Sequence, residues 1–144
     1  MITCTRRLQF CAGHRVMGHE NKCAHLHGHN YVVELTAASE LDSIGRVIDF
    51  SVLKMLVGSW IEQQWDHGFI LNKDDRDAIA IVADFIPRDG AKQKIHLMPY
   101  NPTAENMAKY LLEVIGPATL AGTGVRLVGV VVHETENCKA EATL

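Results

Sequence analysis

Five of the eight histidines in this chain fall between positions 14 and 29, at His14, His19, His25, His27 and His29. His27-Gly28-His29 is the most suggestive part of the cluster. Residues i and i+2 of a β-strand point to the same face, so both imidazoles can turn toward one ion. The glycine between them leaves the opposite face uncrowded and lets a neighbour approach closely. His14, at the end of a neighbouring strand, supplies a third nitrogen from across the hairpin. Three neutral imidazoles with no obvious fourth protein ligand describe a catalytic zinc site with an open position, at Zn–N distances of ~2.0–2.1 Å. That position accepts water or a substrate oxygen and lowers its pKa. His19, His25, His96 and His133 read as ordinary surface or core histidines, although His25 sits inside the cluster.

Cys23 lies four residues before His27. Beside a dication a thiol loses its proton more easily, which makes a base or nucleophile. The same spacing also fits a fourth ligand that closes the site, or a thiol that touches neither metal nor substrate. Asp66-His67 pairs a carboxylate with an imidazole, a combination that fixes a tautomer and raises basicity; a helix-end carboxylate followed by a capping histidine reads equally well. Glu134 ends an apolar stretch, where a carboxylate can accept paired hydrogen bonds from an amidine-like group or simply face solvent.

Those side chains need elements to hold them. Arg6–Cys11 reads as a first strand bending at Ala12-Gly13-His14, and residues 15–24 as a polar loop. In 27–38, Tyr31, Val33, Leu35 and Ala37 alternate with Asn30, Val32, Glu34 and Thr36, the period of a half-buried strand. Asp49 is placed to N-cap a helix over 50–65, with Leu53, Leu56, Val57, Trp60 and Ile61 as its apolar stripe. Gly68 and the polar run 72–77 open a long connection containing Pro87, Gly90 and Pro99. A second helix begins near Pro102-Thr103, carries Ala104, Met107, Ala108, Leu111, Leu112 and Ile115 on one face, and stops at Gly116-Pro117. Residues 125–133 form an apolar strand and 138–143 a short last one. The order β-β-α-α-β-β predicts an α+β domain, an antiparallel four-stranded sheet with two helices on one face. Its free edges suggest sheets joined between subunits.

The bulk numbers fit one domain over residues 1–144. Apolar residues make up 47% and charged residues 22%, with a formal net charge of −3 and a pI near 6.2. Such a balance argues against a nucleic-acid footprint but leaves room for a local pocket that takes a phosphorylated small molecule. The runs 78–83 and 128–132 are too short to cross a bilayer. The N-terminal MITCTRRLQF has no apolar core, so the expectation is no signal peptide, no membrane partner and a cytoplasmic location. Cys4, Cys11, Cys23 and Cys138 contain no C-x-x-C pair and read as free thiols there.

Six segments, in order, resemble the 6-pyruvoyltetrahydropterin synthase and 6-carboxytetrahydropterin synthase family. They are Phe10-Cys-Ala-Gly-His14-Arg15, Cys23-Ala-His-Leu-His27-Gly-His29-Asn30-Tyr31, Val47-Ile-Asp49-Phe50, Trp65-Asp66-His67, Asn101-Pro-Thr-Ala-Glu105-Asn106 and His133-Glu134-Thr135. The resemblance implies the tunnelling fold, whose β-β-α-α-β-β units join their sheets around a threefold into a barrel. A homohexamer, a dimer of trimers with active sites near subunit interfaces, is the usual assembly. It implies zinc on His14, His27 and His29, and proton transfer by Cys23, Asp66 and His67. Glu134 maps onto the residue that anchors the pterin ring, with Glu105 and Thr103 near the same pocket.

Spacing within the family separates its branches. The Cys-x3-His-Gly-His pattern resembles the branch that makes 6-carboxytetrahydropterin, whereas 6-pyruvoyl enzymes usually carry two more residues there and folate-route relatives a glutamate for the cysteine. The implied reaction is a zinc-dependent lyase step on 7,8-dihydroneopterin triphosphate, releasing acetaldehyde and triphosphate on the way to the 7-deazaguanine of queuosine. The alternatives are 6-pyruvoyl synthesis with the side chain retained, and a non-catalytic zinc or pterin binder on the same fold. An unrelated zinc hydrolase is disfavoured, since no H-E-x-x-H or nucleophile elbow occurs. Three features depart from the family pattern: Gly13 where alanine is usual, Trp65 where leucine is usual, and a long 73–98 connection.

Overall fold

The structure is a computed structural model that describes residues 1–85 and 90–144. The expected hairpin is longer than the sequence reading gave. Strand β1 spans Thr3–His14 and pairs antiparallel with β2, His27–Ala38, over its full length, from Thr3 opposite Ala38 to His14 opposite His27. Tyr31, Val33, Leu35 and Ala37 are fully buried, so the period-two pattern read from sequence is the inward face.

The first helix starts where Asp49 caps it, its carboxylate accepting from Ser51 N–H. It continues as α1 (Phe50–Leu53), a π-helical turn (Lys54–Gly58) and α2 (Ser59–Gln64). Leu53, Val57, Ile61 and the following Trp65 are buried against the sheet. The later helix is capped by Thr103, whose hydroxyl accepts from Asn106 N–H at 3.2 Å.

Two expectations need correction. The sheet has six strands, not four, in the order β4-β3-β1-β2-β5-β6. Gly68–Asn72 forms β3, parallel to β1 at residues 12–14, and Ile95–Met98 forms β4, parallel to β3. Between them Arg76–Ala83 forms α3, capped by Asp75. The polar run 72–77 thus contains a cap, and the apolar Phe69-Ile70-Leu71 is a strand, with Leu71 in a cluster with Ala78 and Val82 of the crossover helix and Ile70 in the main core. Pro87 lies outside the described residues.

The second correction concerns Gly116-Pro117, which does not stop the later helix. It runs on through α4 (Ala104–Tyr110), a π-helical turn (Leu111–Ile115) and α5 (Gly116–Thr119), with the proline in α5's first turn. A π turn already breaks the i→i−4 ladder, so the missing proline N–H costs little there. Of the remaining strands, β5 (Arg126–Thr135) adds antiparallel to β2, and β6 (Cys138–Thr143) adds antiparallel to β5 at the edge.

Gly13 has a local reason. A Cβ on it would stand 2.4 Å from the Phe69 ring, the residue opposite it on β3. Phe69 on β3 therefore leaves no room for a methyl at residue 13. Among the described residues no helix is long and apolar enough to cross a membrane.

Candidate metal centre

His14, His27 and His29 share the helix-covered face of the β1–β2 hairpin, and their nearest nitrogens lie within 4.8 Å of one another. The hydrogen bonds on the far side of each ring decide what those nitrogens are. His14 Nδ1–H donates to Pro102 O at 2.8 Å, and His27 Nδ1–H donates to His25 O at 2.7 Å. With the proton on Nδ1 in both rings, each Nε2 carries a lone pair. The two Nε2 atoms nonetheless face each other at 3.1 Å. His29 Nε2 is buried and has no hydrogen-bond partner; Glu134 Oε1 approaches it at 3.3 Å without bonding geometry.

Two facing lone pairs and an orphaned third nitrogen are unfavourable unless a cation lies among them. Nitrogens at ~2.0–2.1 Å from a tetrahedral zinc stand about 3.3 Å apart, close to the spacing found. His14 is 1% exposed, and burial pushes its pKa down to about 4, with His27 and His29 adding to the effect and the Pro102 carbonyl opposing it. Burial likewise lowers His29, partly offset by Glu134. His14 is therefore a neutral donor at pH 7, as a metal ligand must be. The residues present fit a zinc ion, and among the described residues no fourth side chain joins the cluster.

One cavity of about 300 Å³ adjoins His14 and is lined by Cys23, Thr103, Glu105 and Glu134, with Lys139 also on its wall. Five of the nine residues picked from sequence thus meet at one place, and His27 and His29 complete the cluster behind it. Cys23 sits on a short 3₁₀ turn, Lys22–Ala24, and its carbonyl accepts from Val16 N–H at 2.7 Å, which ties the loop shut. Asn101 pins the same loop by a two-way bond to Met17, accepting at 3.1 Å and donating at 2.8 Å.

Asp66 and His67 do not join this cavity. They lie beside Cys11, whose side chain points to the opposite face of β1 from Phe10, Ala12 and His14. Asp66 Oδ2 accepts from His67 Nδ1–H at 2.9 Å, so the carboxylate and imidazole do pair. Three other histidines lie outside both groups, and His96 Nε2 is buried without a hydrogen-bond partner. His133 bonds Glu34 at 2.8 Å, His19 accepts from Asn21 N–H, and His96 packs among Trp60, Trp65 and Tyr110.

Sequence reasoning missed the carbonyls of Pro102 and His25, which fix two tautomers, and the setting of Cys11. A backbone acceptor leaves no mark in side-chain identity; Cys11 stood in a quoted motif without a role. Arg15, next to His14, was likewise unassigned: it forms a two-point ion pair with Asp75, the cap of α3, so β1's end is anchored to the added unit.

Comparison with known proteins agrees with the geometry. A sequence model of the family described as 6-pyruvoyl tetrahydropterin synthase matches residues 3–143. The 6-carboxy-5,6,7,8-tetrahydropterin synthase of Rickettsia typhi is 43% identical, covering 98% of this chain and 99% of its own. That of Aquifex aeolicus is 34% identical over 95% and 94%. Among solved structures, an uncharacterized protein from Wolinella succinogenes superposes with a TM-score of 0.81 at 24% identity, covering 99% of this chain and 97% of its own. The Caenorhabditis elegans 6-pyruvoyl tetrahydropterin synthase gives 0.67 at 22%, covering 99% and 95%. At those identities the structural likeness speaks for the fold alone.

Proposed function

The chain belongs to the 6-pyruvoyl tetrahydropterin synthase family, and from that premise we propose that it is a zinc-dependent carbon–carbon lyase. Its substrate is 7,8-dihydroneopterin triphosphate and its products are 6-carboxy-5,6,7,8-tetrahydropterin, acetaldehyde and triphosphate. Residues 1–144 act as one domain in a cytoplasmic homohexamer. The observation that carries this reading is the convergence of three imidazole lone pairs at the wall of a cavity that also holds Cys23 and Glu134. Relatives named for 6-carboxytetrahydropterin synthesis support the choice of product.

His14, His27 and His29 hold the zinc, which when bound supplies Lewis-acid stabilisation of charge developing on the substrate's side-chain hydroxyls. Glu134 accepts hydrogen bonds from the 2-amino and N3 edge of the pterin, a charge-assisted pair that fixes ring orientation. Glu105 and Thr103 border the same ring site, and Lys139 offers a positive charge to the phosphorylated tail. Cys23 Sγ accepts the proton removed from the side chain, as general base. Asp66 holds His67 with the proton on Nδ1, which leaves Nε2 free to take or return a proton.

Within one chain Cys23 and His67 serve different faces of the sheet. The reading accommodates this by assembly: His67 completes the cavity of a neighbouring copy. Mixing inactive Cys23→Ala and His67→Ala proteins after dissociation then restores part of the activity, and no recovery in any mixture counts against the shared site. The central test is zinc-loaded protein given dihydroneopterin triphosphate, with product mass and acetaldehyde measured. A product that keeps the three-carbon side chain replaces this reading with 6-pyruvoyl synthesis. No turnover with zinc and pterin both bound leaves a binder.

A further inference from the structure

Cys11, Asp66 and His67 bring three kinds of metal donor together on the sheet face opposite the histidine trio. Their donor atoms all lie within 4.8 Å of one another. Cys11 Sγ is 3.6 Å from His67 Nε2, 3.7 Å from Nδ1 and 3.9 Å from Asp66 Oδ1. A thiolate and an imidazole nitrogen on one tetrahedral zinc stand about 3.6 Å apart, and a thiolate and a carboxylate oxygen about the same. The cluster is within a few tenths of an ångström of that spacing before any ion adjusts it.

The backbone is built around the cluster. Cys11 N–H donates to Asp66 Oδ1 at 3.0 Å, and His67 N–H donates to Cys11 O at 2.7 Å. Lys94 holds the Asp66 carbonyl at 2.6 Å, and Gln93 holds that of His67 at 3.3 Å. His67 sits at φ 56°, the only described non-glycine residue at positive φ, a conformation that costs energy and persists where surroundings enforce it. Its side chain is 77% exposed, so the ring can turn either nitrogen toward Sγ without moving the core. One thiolate and one carboxylate also cancel the charge of a dication, which three imidazoles do not.

We propose that Cys11, Asp66 and His67 form a second binding site for a thiophilic divalent cation such as zinc, one that restrains the enzyme. The Cys11 thiol gives its proton to solvent on binding, and the ion takes the His67 lone pair. The restraint rests on the proton-transfer role given to His67 above; the binding site does not.

Protein stripped of metal is titrated with cobalt(II) and followed by absorption. The expected result is two equivalents per chain, with thiolate-to-cobalt charge transfer growing in with the second. That absorption is lost in Cys11→Ser and in His67→Gly, the latter a change that suits the positive φ. It is retained in Cys23→Ser, and one equivalent still binds in Cys11→Ser. A single equivalent in the parent protein, or charge transfer that survives Cys11→Ser, overturns the site. Excess zinc at ten times the second-site Kd lowers turnover roughly tenfold in the parent and leaves Cys11→Ser nearly unaffected. Equal inhibition of the two proteins overturns the restraint. Two equivalents bound by a protein that never turns over dihydroneopterin triphosphate sink the lyase reading and leave the second site standing.

Discussion

The two faces of the β1–β2 hairpin present three-residue clusters of opposite construction. On the helix-covered face, donors are three imidazoles, His14 buried and the others half-buried, and two are held by main-chain carbonyls from Pro102 and His25. On the other face, donors are of three kinds, two of them acidic, and the imidazole is open to solvent. Both arise from the same alternation, His14 and Ala12 one way, Cys11 and Gly13 the other. A neutral donor set leaves an ion's charge free to act on a substrate, whereas an anionic set spends it internally. Burial with fixed tautomers therefore suits a permanent reactive ion, and exposure with mixed charge suits an exchangeable one.

The contrast breaks first at the trio. His27→Ala should remove metal from the helix-covered face and lower turnover by at least ~10³-fold, as loss of a Lewis acid requires; metal analysis and initial rates check it, and full occupancy with full activity ends the assignment. Next comes Cys23→Ala, expected to reduce kcat by ~10²–10⁴-fold with trio metal retained, the range for a general base. Unchanged turnover would falsify that role. His67→Gln should cost about 10²-fold in kcat, again with trio metal intact, which separates the faces cleanly.

Stability tests sharpen the comparison further. Asp75 is 2% exposed, and its carboxyl is held below the usual range by hydrogen bonding from Arg15, against the opposing effect of desolvation. A depressed folded value means the contribution is complete above the unfolded value of ~3.9 and is lost as pH falls through the folded one. Asp75→Asn should then lower stability by about 2 kcal/mol at neutral pH and flatten the acid limb of a denaturant series taken from pH 6 downward. An unchanged acid limb assigns that pH dependence elsewhere. The smallest effect is Gly13→Ala, about 1–2 kcal/mol from crowding Phe69. The accompanying Phe69→Leu change should recover much of it in thermal unfolding.

How much of this was legible beforehand varied with the kind of interaction. The strand carrying His27 and His29 and the two long helices were written in periodicity, and the start of the first helix in Asp49, because local sequence sets those features; the cap at Thr103 was not read, since Pro102 drew the helix start to itself. Strands β3 and β4 were not, since a short apolar run such as Phe69-Ile70-Leu71 gains its identity only from the parallel partner beside it. The trio could be picked out by spacing alone, but its tautomers could not, as they depend on carbonyls without side-chain signature. Cys23, Asp66 and His67 were named together, and the sheet between them is visible only when β1's alternation is followed through Cys11. The usual alanine at Gly13 was noted as a departure without a cause; Phe69 supplies it.

The bond from His14 to Pro102 spans 88 positions. A ribosome must therefore deliver the leader of α4, and that leader must dock, before the first imidazole is oriented. An arriving cation meets a finished pocket in the mature chain and only a loose pair of rings in a nascent one. Loading becomes a late checkpoint of maturation, and a chain truncated before α4 is a poor competitor for scarce metal.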